Sequence, residues 1–223
     1  RLEIAHNCPQ EQSDYLLEMF ELGPDDLYRV DGPVNLNRLV AIAQLAARPD
    51  LRDAPFTPGT PPAITAEDDL LAAVAKRDIL LHHPYESFGP VLDFIARAAQ
   101  DPDVLAIKIT LYRTGPASPV VDALVRAAQA GKEVTVSIEL RARFDEAANI
   151  ALATRLQEAG AHVVYGVVGF KTHCKMALVV RRESGRLRRY VHLGTGNYHP
   201  GTARLYTDYS LLSADEVLAE DVH

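Results

Sequence analysis

Cysteine is scarce. Cys8 and Cys174 are the only two in 223 residues, too few for a disulfide framework or a four-ligand zinc site, so a reducing cytoplasm is the expected compartment. Long apolar runs are missing as well. None approaches the roughly 18 residues that span a bilayer, and no basic-then-apolar leader opens the sequence, which therefore reads as soluble and unexported. Aromatic residues make up only 7%, yet 48% of the chain is hydrophobic and 24% charged. That supply supports one large or two small globular domains and excludes disorder for most of the length. The first residue is Arg1, and the chain stops at His223 soon after a Ser-x-x-Glu capping pattern at Ser213–Glu216. A piece of a longer protein is expected.

Excess positive charge is also lacking. The net charge of −7 argues against a dedicated nucleic-acid coat, which needs a surplus of Lys and Arg. The average conceals a local reversal. Lys171, Lys175, Arg181, Arg182, Arg186, Arg188 and Arg189 face Glu183 alone between Lys171 and Tyr190, a stretch suited to a polyanion. The plainer reading of its second half is a hairpin tip around Glu183-Ser184-Gly185 whose charges keep it solvated.

Residues 1–46 hold two helix-like runs, Ser13–Leu22 and Asn35–Ala46, with a short extended piece at Leu27–Val30 between them. They read as the end of another domain. Residues 47–66 form a proline-rich linker containing Pro49, Pro55, Pro58, Pro61 and Pro62, which cannot sustain a long helix or a central strand. Residues 67–223 then alternate: strand Ile79–His82, helix Ser87–Gln100, strand Val104–Tyr112, helix Pro119–Ala130, strand Glu133–Leu140, helix Phe144–Ala159, strand His162–Tyr165. Strict rotation predicts an α/β fold with a mixed, mainly parallel sheet flanked by helices. Gly131 and Gly160 follow two of the helices, as left-handed caps do. The last third turns strand-rich, with Thr172–Arg181 and Leu187–Leu193 as a hairpin and Leu205–Leu212 after it.

The densest chemistry lies in Lys171-Thr172-His173-Cys174-Lys175, followed 18 residues on by Gly194-Thr195-Gly196-Asn197. On a strand, His173 and Lys175 project together while Cys174 faces the other way, into the core. An ammonium beside an imidazole keeps it neutral and nucleophilic and attracts the oxygens of a transferring phosphoryl group. The glycine-rich loop permits close backbone approach, and Asn197 adds an amide able to bond phosphate oxygen or orient the histidine.

His-x-Lys with a following Gly-x-Gly-Asn resembles a half-site of the phospholipase D superfamily. Five segments sharpen the likeness: His82–Phe88, Ile107–Thr114 (IKITLYRT), Ala142–Glu146 (ARFDE), Lys171–Lys175 and His192–Leu212 (HLGTGNYHPGTARLYTDYSLL). Together they resemble the bacterial polyphosphate kinase family of the histidine-phosphorylating type, over the end of its middle domain (1–46) and its first catalytic domain (67–223). Ordinary phospholipase D enzymes carry Asp five residues after the Lys, where this chain has Val180.

The resemblance implies an ATP:polyphosphate phosphotransferase working reversibly through a phosphohistidine at His173, with Mg2+ and ATP/ADP as cofactors. It implies Arg113 and Arg143 beside the magnesium and phosphates, and Tyr206 against the nucleotide. Guanidinium cannot ligate a metal ion, so both arginines read as phosphate clamps. Tyr206 shares a predicted strand face with Asp208 and Ser210, where it either stacks on a base or packs. Inorganic polyphosphate and ATP are the expected partners, with no nucleic acid and with homo-oligomerisation in the full-length protein. The expected location is cytoplasmic, with the membrane periphery left open. Two alternatives stand beside this reading: a phospholipase D-like phosphodiesterase or nuclease, and an inactive polyanion-binding fragment.

Overall fold

A computed structural model describes residues 1–45, 48–54, 56–67, 69–115, 117–139, 146–166 and 169–223. The chain divides into two compact units, 1–55 and 56–223. In the first, β1 (Leu2–Ala5) pairs in parallel with β2 (Leu27–Val30), from Leu2↔Leu27 to Ala5↔Val30. A parallel pair needs a crossover, and α1 (Gln10–Met19) supplies it. Arg29 ties the parts together, donating to the Cys8 carbonyl at 3.0 Å and to Gln10 Oε1 at 2.8 Å. A one-turn α2 (Val40–Leu45) follows. The strand β1 carries no turn signals and escapes sequence reading.

The second unit opens with the single-turn α3 (Pro62–Thr65) and with α4 (Leu70–Lys76), whose N-cap Asp69 accepts from the Leu71 amide at 3.1 Å. Within the proline-rich stretch Gly59 is already stitched to this unit, donating to the Tyr85 carbonyl and accepting from the Ser87 amide. Then come β3 (Ile79–His83), α5 (Gly89–Gln100), β4 (Val104–Leu111), α6 (Pro119–Gln129), β5 (Glu133–Ile138), α7 (Glu146–Glu158), β6 (His162–Tyr165), β7 (Lys175–Glu183), β8 (Arg186–Gly194), β9 (Asp208–Ser213) and α8 (Glu216–Val222). Ser118 caps α6 with Pro119 at its first position, a favourable start for a helix. Gly131 and Gly160 take φ of +84° and +94° past the ends of α6 and α7, as expected of glycine there.

The strands form one sheet in the order β3-β9-β8-β7-β4-β5-β6. β4, β5 and β6 pair in parallel, while β7, β8, β9 and β3 join by antiparallel ladders. Five of the seven strands run the same way, with β7 and β9 reversed among them, so the mainly parallel expectation holds for direction and not for pairing. Residues alternate across each strand. Ile107, Ile109, Val136, Ile138 and Val179 meet Phe94, Ile95, Leu124 and Leu156 of the helices in the main core, whereas Leu178 and Val191 on the opposite face meet Ala219 of α8. Deleting a fully buried ring such as Phe94 costs about 3–5 kcal/mol.

Two strand starts fall three residues later than expected. The strand predicted from Thr172 begins at Lys175, and the one predicted from Leu205 begins at Asp208. Leu140 and the predicted helix start at Phe144 lie outside the described residues. The β7–β8 hairpin closes on Ser184 and Gly185 at φ +47° and +79°, the two-residue primed turn that matches strand twist.

Candidate active site

Because β7 and β9 run against their neighbours, the last residues of β4 and β8 and the first residues of β7 and β9 meet at one end of the sheet. The loops leaving these strands enclose a cleft of about 520 Å3. It is lined by Arg113 and Gly115 after β4, His173 and Lys175 before and at the start of β7, and Thr195, Gly196, Asn197, His199 and Thr202 after β8. Tyr206 and Asp208, where β9 begins, complete the wall. His173, Lys175, Asn197, Tyr206 and Arg113, singled out from sequence, are thus brought together. Arg143 lies outside the described residues.

The segment 171–174 belongs to no strand and is held instead by side chains. Thr172 donates its amide to Glu139 Oε2 at 2.8 Å. The buried Lys175 Nζ donates to the His173 carbonyl at 2.6 Å, and Thr110 Oγ1 donates to the Cys174 carbonyl at 2.7 Å while accepting from the Met176 amide at 3.1 Å. This leaves the His173 side chain exposed to the cleft. One expectation fails here because the strand begins too late to impose its alternation on residues 172–174: Cys174 is exposed rather than in the core. His173 and Lys175 still line the same cleft, with the Lys175 ammonium also anchored to the backbone of His173. Burial pulls that ammonium below its ordinary pKa, opposed by Cys174 and Asp208.

The glycine-rich loop is shaped around two groups to which the sequence reading assigned no role. Asp208 accepts from Thr195 Oγ1 at 2.8 Å, and a Cβ on Gly196 would lie 2.6 Å from its Cγ, so a side chain there would force the carboxylate out of its place. His199 Nδ1 accepts from the Thr202 amide at 3.0 Å, which places the proton of the neutral ring on Nε2. Its ring lies between Gly115 and Gly201, where added Cβ atoms would come within 2.8 and 2.9 Å. Spacing carried no signal for His199; the glycines flanking it in fold and chain are the only clue. Beneath the loop, His192 Nδ1 and Tyr198 OH lie 2.6 Å apart, both fully buried. Burial, with His83 adding, pushes His192 down to about 3, and burial raises Tyr198. His192 Nε2 and Asn197 Oδ1 are buried with no hydrogen-bond partner among the described residues. Tyr206 follows a short 3-10 turn instead of standing in β9, and 62% of it is exposed at the rim.

The basic hairpin tip is not part of this cleft. It caps the far end of β7 from Lys175, eight residues and about 26 Å along a strand. Arg181 there pairs with Asp101 at 2.8 Å and Glu183 at 3.0 Å, and Arg188 bonds the Ala75 carbonyl at 3.0 Å.

Fold and cleft define an α/β domain that presents a histidine and several cations from loops at one end of a mixed sheet. The family model for polyphosphate kinase C-terminal domain 1 matches residues 69–223, and the chain belongs to that family. It is 60% identical to a polyphosphate kinase of Pseudomonas aeruginosa and 56% identical to one of Neisseria gonorrhoeae, each over 223 residues covering all of this chain. It spans about a third of the length of these relatives, 32% and 33%. A crystal structure of polyphosphate kinase from Porphyromonas gingivalis superposes over the whole chain and 34% of its own, with a TM-score of 0.81 and 31% identity. NucT from Helicobacter pylori, at 14% identity and a TM-score of 0.50 over 66% of this chain and 90% of its own, shares the fold alone.

Proposed function

We propose that the protein to which this chain belongs transfers the terminal phosphoryl group of ATP reversibly to inorganic polyphosphate, with His173 as the covalent carrier. The observation that carries this reading is the single cleft in which His173 stands exposed beside Arg113, Asn197 and Tyr206. An imidazole nitrogen lone pair attacks the γ-phosphorus, the bond to the bridging oxygen breaks, and ADP leaves with that electron pair. A terminal oxygen of polyphosphate then attacks the phosphohistidine and restores the imidazole. Little covalent work falls to the protein in such transfers, which depend on placement and charge. Arg113 supplies a planar donor fork for phosphate oxygens, joined in this reading by Arg143. Tyr206 offers its exposed ring to the base, and the Asn197 amide turns toward phosphate.

Among the described residues no group of three or more His, Cys, Asp or Glu could hold a metal ion. These residues do not form a protein cage for Mg2+, so in this reading magnesium enters on the nucleotide phosphates and no step is assigned to it. No described helix is long and apolar enough to cross a membrane. A cytoplasmic location and a homo-oligomer belong to the same proposal.

The test is incubation of the full-length protein with γ-labelled ATP and magnesium. The expected product is an acid-labile, base-stable label on His173, absent from His173→Ala. Label surviving that substitution overturns the reading. Cleavage of a phosphodiester without nucleotide would replace it with the phosphodiesterase alternative.

A further inference from the structure

Tyr112 stands one residue past β4, half-buried, inside the IKITLYRT segment from which only Arg113 received a role. Three groups of the cleft converge on its ring. The His173 imidazole meets it in a T-shaped arrangement, centroids 6.1 Å apart and planes at 66°. The Lys175 Nζ lies 5.3 Å from its centroid, and the Arg113 guanidinium carbon lies 5.4 Å from it. An aromatic face is negative and its edge positive, so cations within about 6 Å of the centroid are attracted and ring pairs settle edge to face. Arg113 reaches this position through a backbone φ of +53°, a left-handed conformation that a non-glycine residue keeps only where its surroundings enforce it. Neighbours on extended backbone point to opposite sides; the turn at Arg113 brings its guanidinium back over the preceding residue.

We propose that Tyr112 is a positioning residue, an aromatic post against which the imidazole of His173 and the cations of Lys175 and Arg113 are set before phosphate arrives. The inference rests on the phosphohistidine reading and assigns the ring, rather than the hydroxyl, the work of holding guanidinium and nucleophile in register. Guanidinium and ammonium repel one another, and the contact of each with the ring lowers the cost of gathering both near an imidazole that must stay neutral to attack.

The experiment uses the full-length protein with Tyr112→Phe, with Tyr112→Leu, and with pentafluorophenylalanine introduced at the same position, which keeps the ring's shape and reverses the charge of its face. Single-turnover labelling of His173 from γ-labelled ATP is expected to be unchanged in Tyr112→Phe. In the pentafluoro and Leu forms it should slow on the order of tenfold, the equivalent of about 1.4 kcal/mol. The melting temperature of the pentafluoro form should match that of Tyr112→Phe, so a slowed rate there cannot be misfolding. Equal rates in the Phe and pentafluoro forms overturn the proposal, as does a Tyr112→Phe rate as low as that of Tyr112→Leu. A second measurement separates this from the function itself. Carbethoxylation of His173 by diethyl pyrocarbonate, read by peptide mass, should quicken in Tyr112→Leu and not in Tyr112→Phe whether or not ATP is a substrate. Absence of label from the wild type refutes the phosphohistidine reading; an unchanged carbethoxylation rate in Tyr112→Leu refutes the contact.

Discussion

The Lys175 ammonium donates to the main-chain carbonyl of His173 at 2.6 Å. A cation placed there fixes the backbone that carries the imidazole. Lys175→Met keeps the stem and removes the donor, and it is expected to lower His173 labelling by more than tenfold, with loss of a charge-assisted bond worth about 1.5–3 kcal/mol. Labelling at the wild-type rate would show that the anchor is dispensable.

Removing Arg113 should act on rate and not on stability. Its exposed side chain lines the cleft, and a donor aimed at developing phosphate charge supplies about 3–4 kcal/mol, or two to three orders of magnitude in rate. Arg113→Ala and Arg143→Ala are expected to show this loss in single-turnover transfer with melting temperatures near the wild type. A lowered melting temperature with an intact rate would assign either arginine to structure.

Gly196→Ala tests the shape of the loop. The added Cβ would press on the Asp208 carboxylate at 2.6 Å from Cγ and 3.0 Å from its Cβ. Overpacking of this kind costs about 1–3 kcal/mol, so both melting temperature and labelling should fall. If Gly196→Ala melts as the wild type does, the loop has room that the geometry denies it.

Acid should destabilise the domain through His192. Its folded pKa is pushed down to about 3 from 6.5, so the unfolded chain binds a proton that the folded one refuses throughout that window. Stability therefore falls as pH drops from about 6.5 toward 3, at up to about 1.4 kcal/mol per pH unit. Denaturant titrations at several pH values should show His192→Gln with a shallower slope between pH 4 and 6 by about one proton. Parallel slopes would exclude His192 as the source.

The isolated 223-residue chain should bind long-chain polyphosphate weakly and synthesise none, because only one His-x-Lys half is present. Binding should weaken steeply with salt. Arg186→Ala with Arg189→Ala should leave it nearly unchanged, since the hairpin tip stands at the far end of β7. Robust synthesis by this chain would show that one His-x-Lys half is sufficient.

The alternation of strand and helix was legible because apolar runs change period and break at glycines, as Gly131 and Gly160 illustrate. The cleft was legible in part: glycines at 194 and 196 and the His-x-Lys pair announce close approach and charge. Residues whose role depends on a partner distant in sequence were not. Glu139 holds the Thr172 amide across 33 positions, and Gly115 makes room for His199 across 84, relationships that only the folded sheet creates. The exposure of Cys174 was hidden for a nearer reason, a strand that starts three residues later than its apolar pattern suggests.

The sheet order also constrains the sequence in which the domain assembles. β3 is the first strand of its unit, yet its ladder is with β9, the last, from Ile79↔Leu212 to His83↔Asp208. Pairings of such long range close late, after local ones have formed. The parallel trio β4, β5 and β6 can therefore take shape while β3 waits, and a growing chain released before Asp208 leaves that strand with an open edge on both sides.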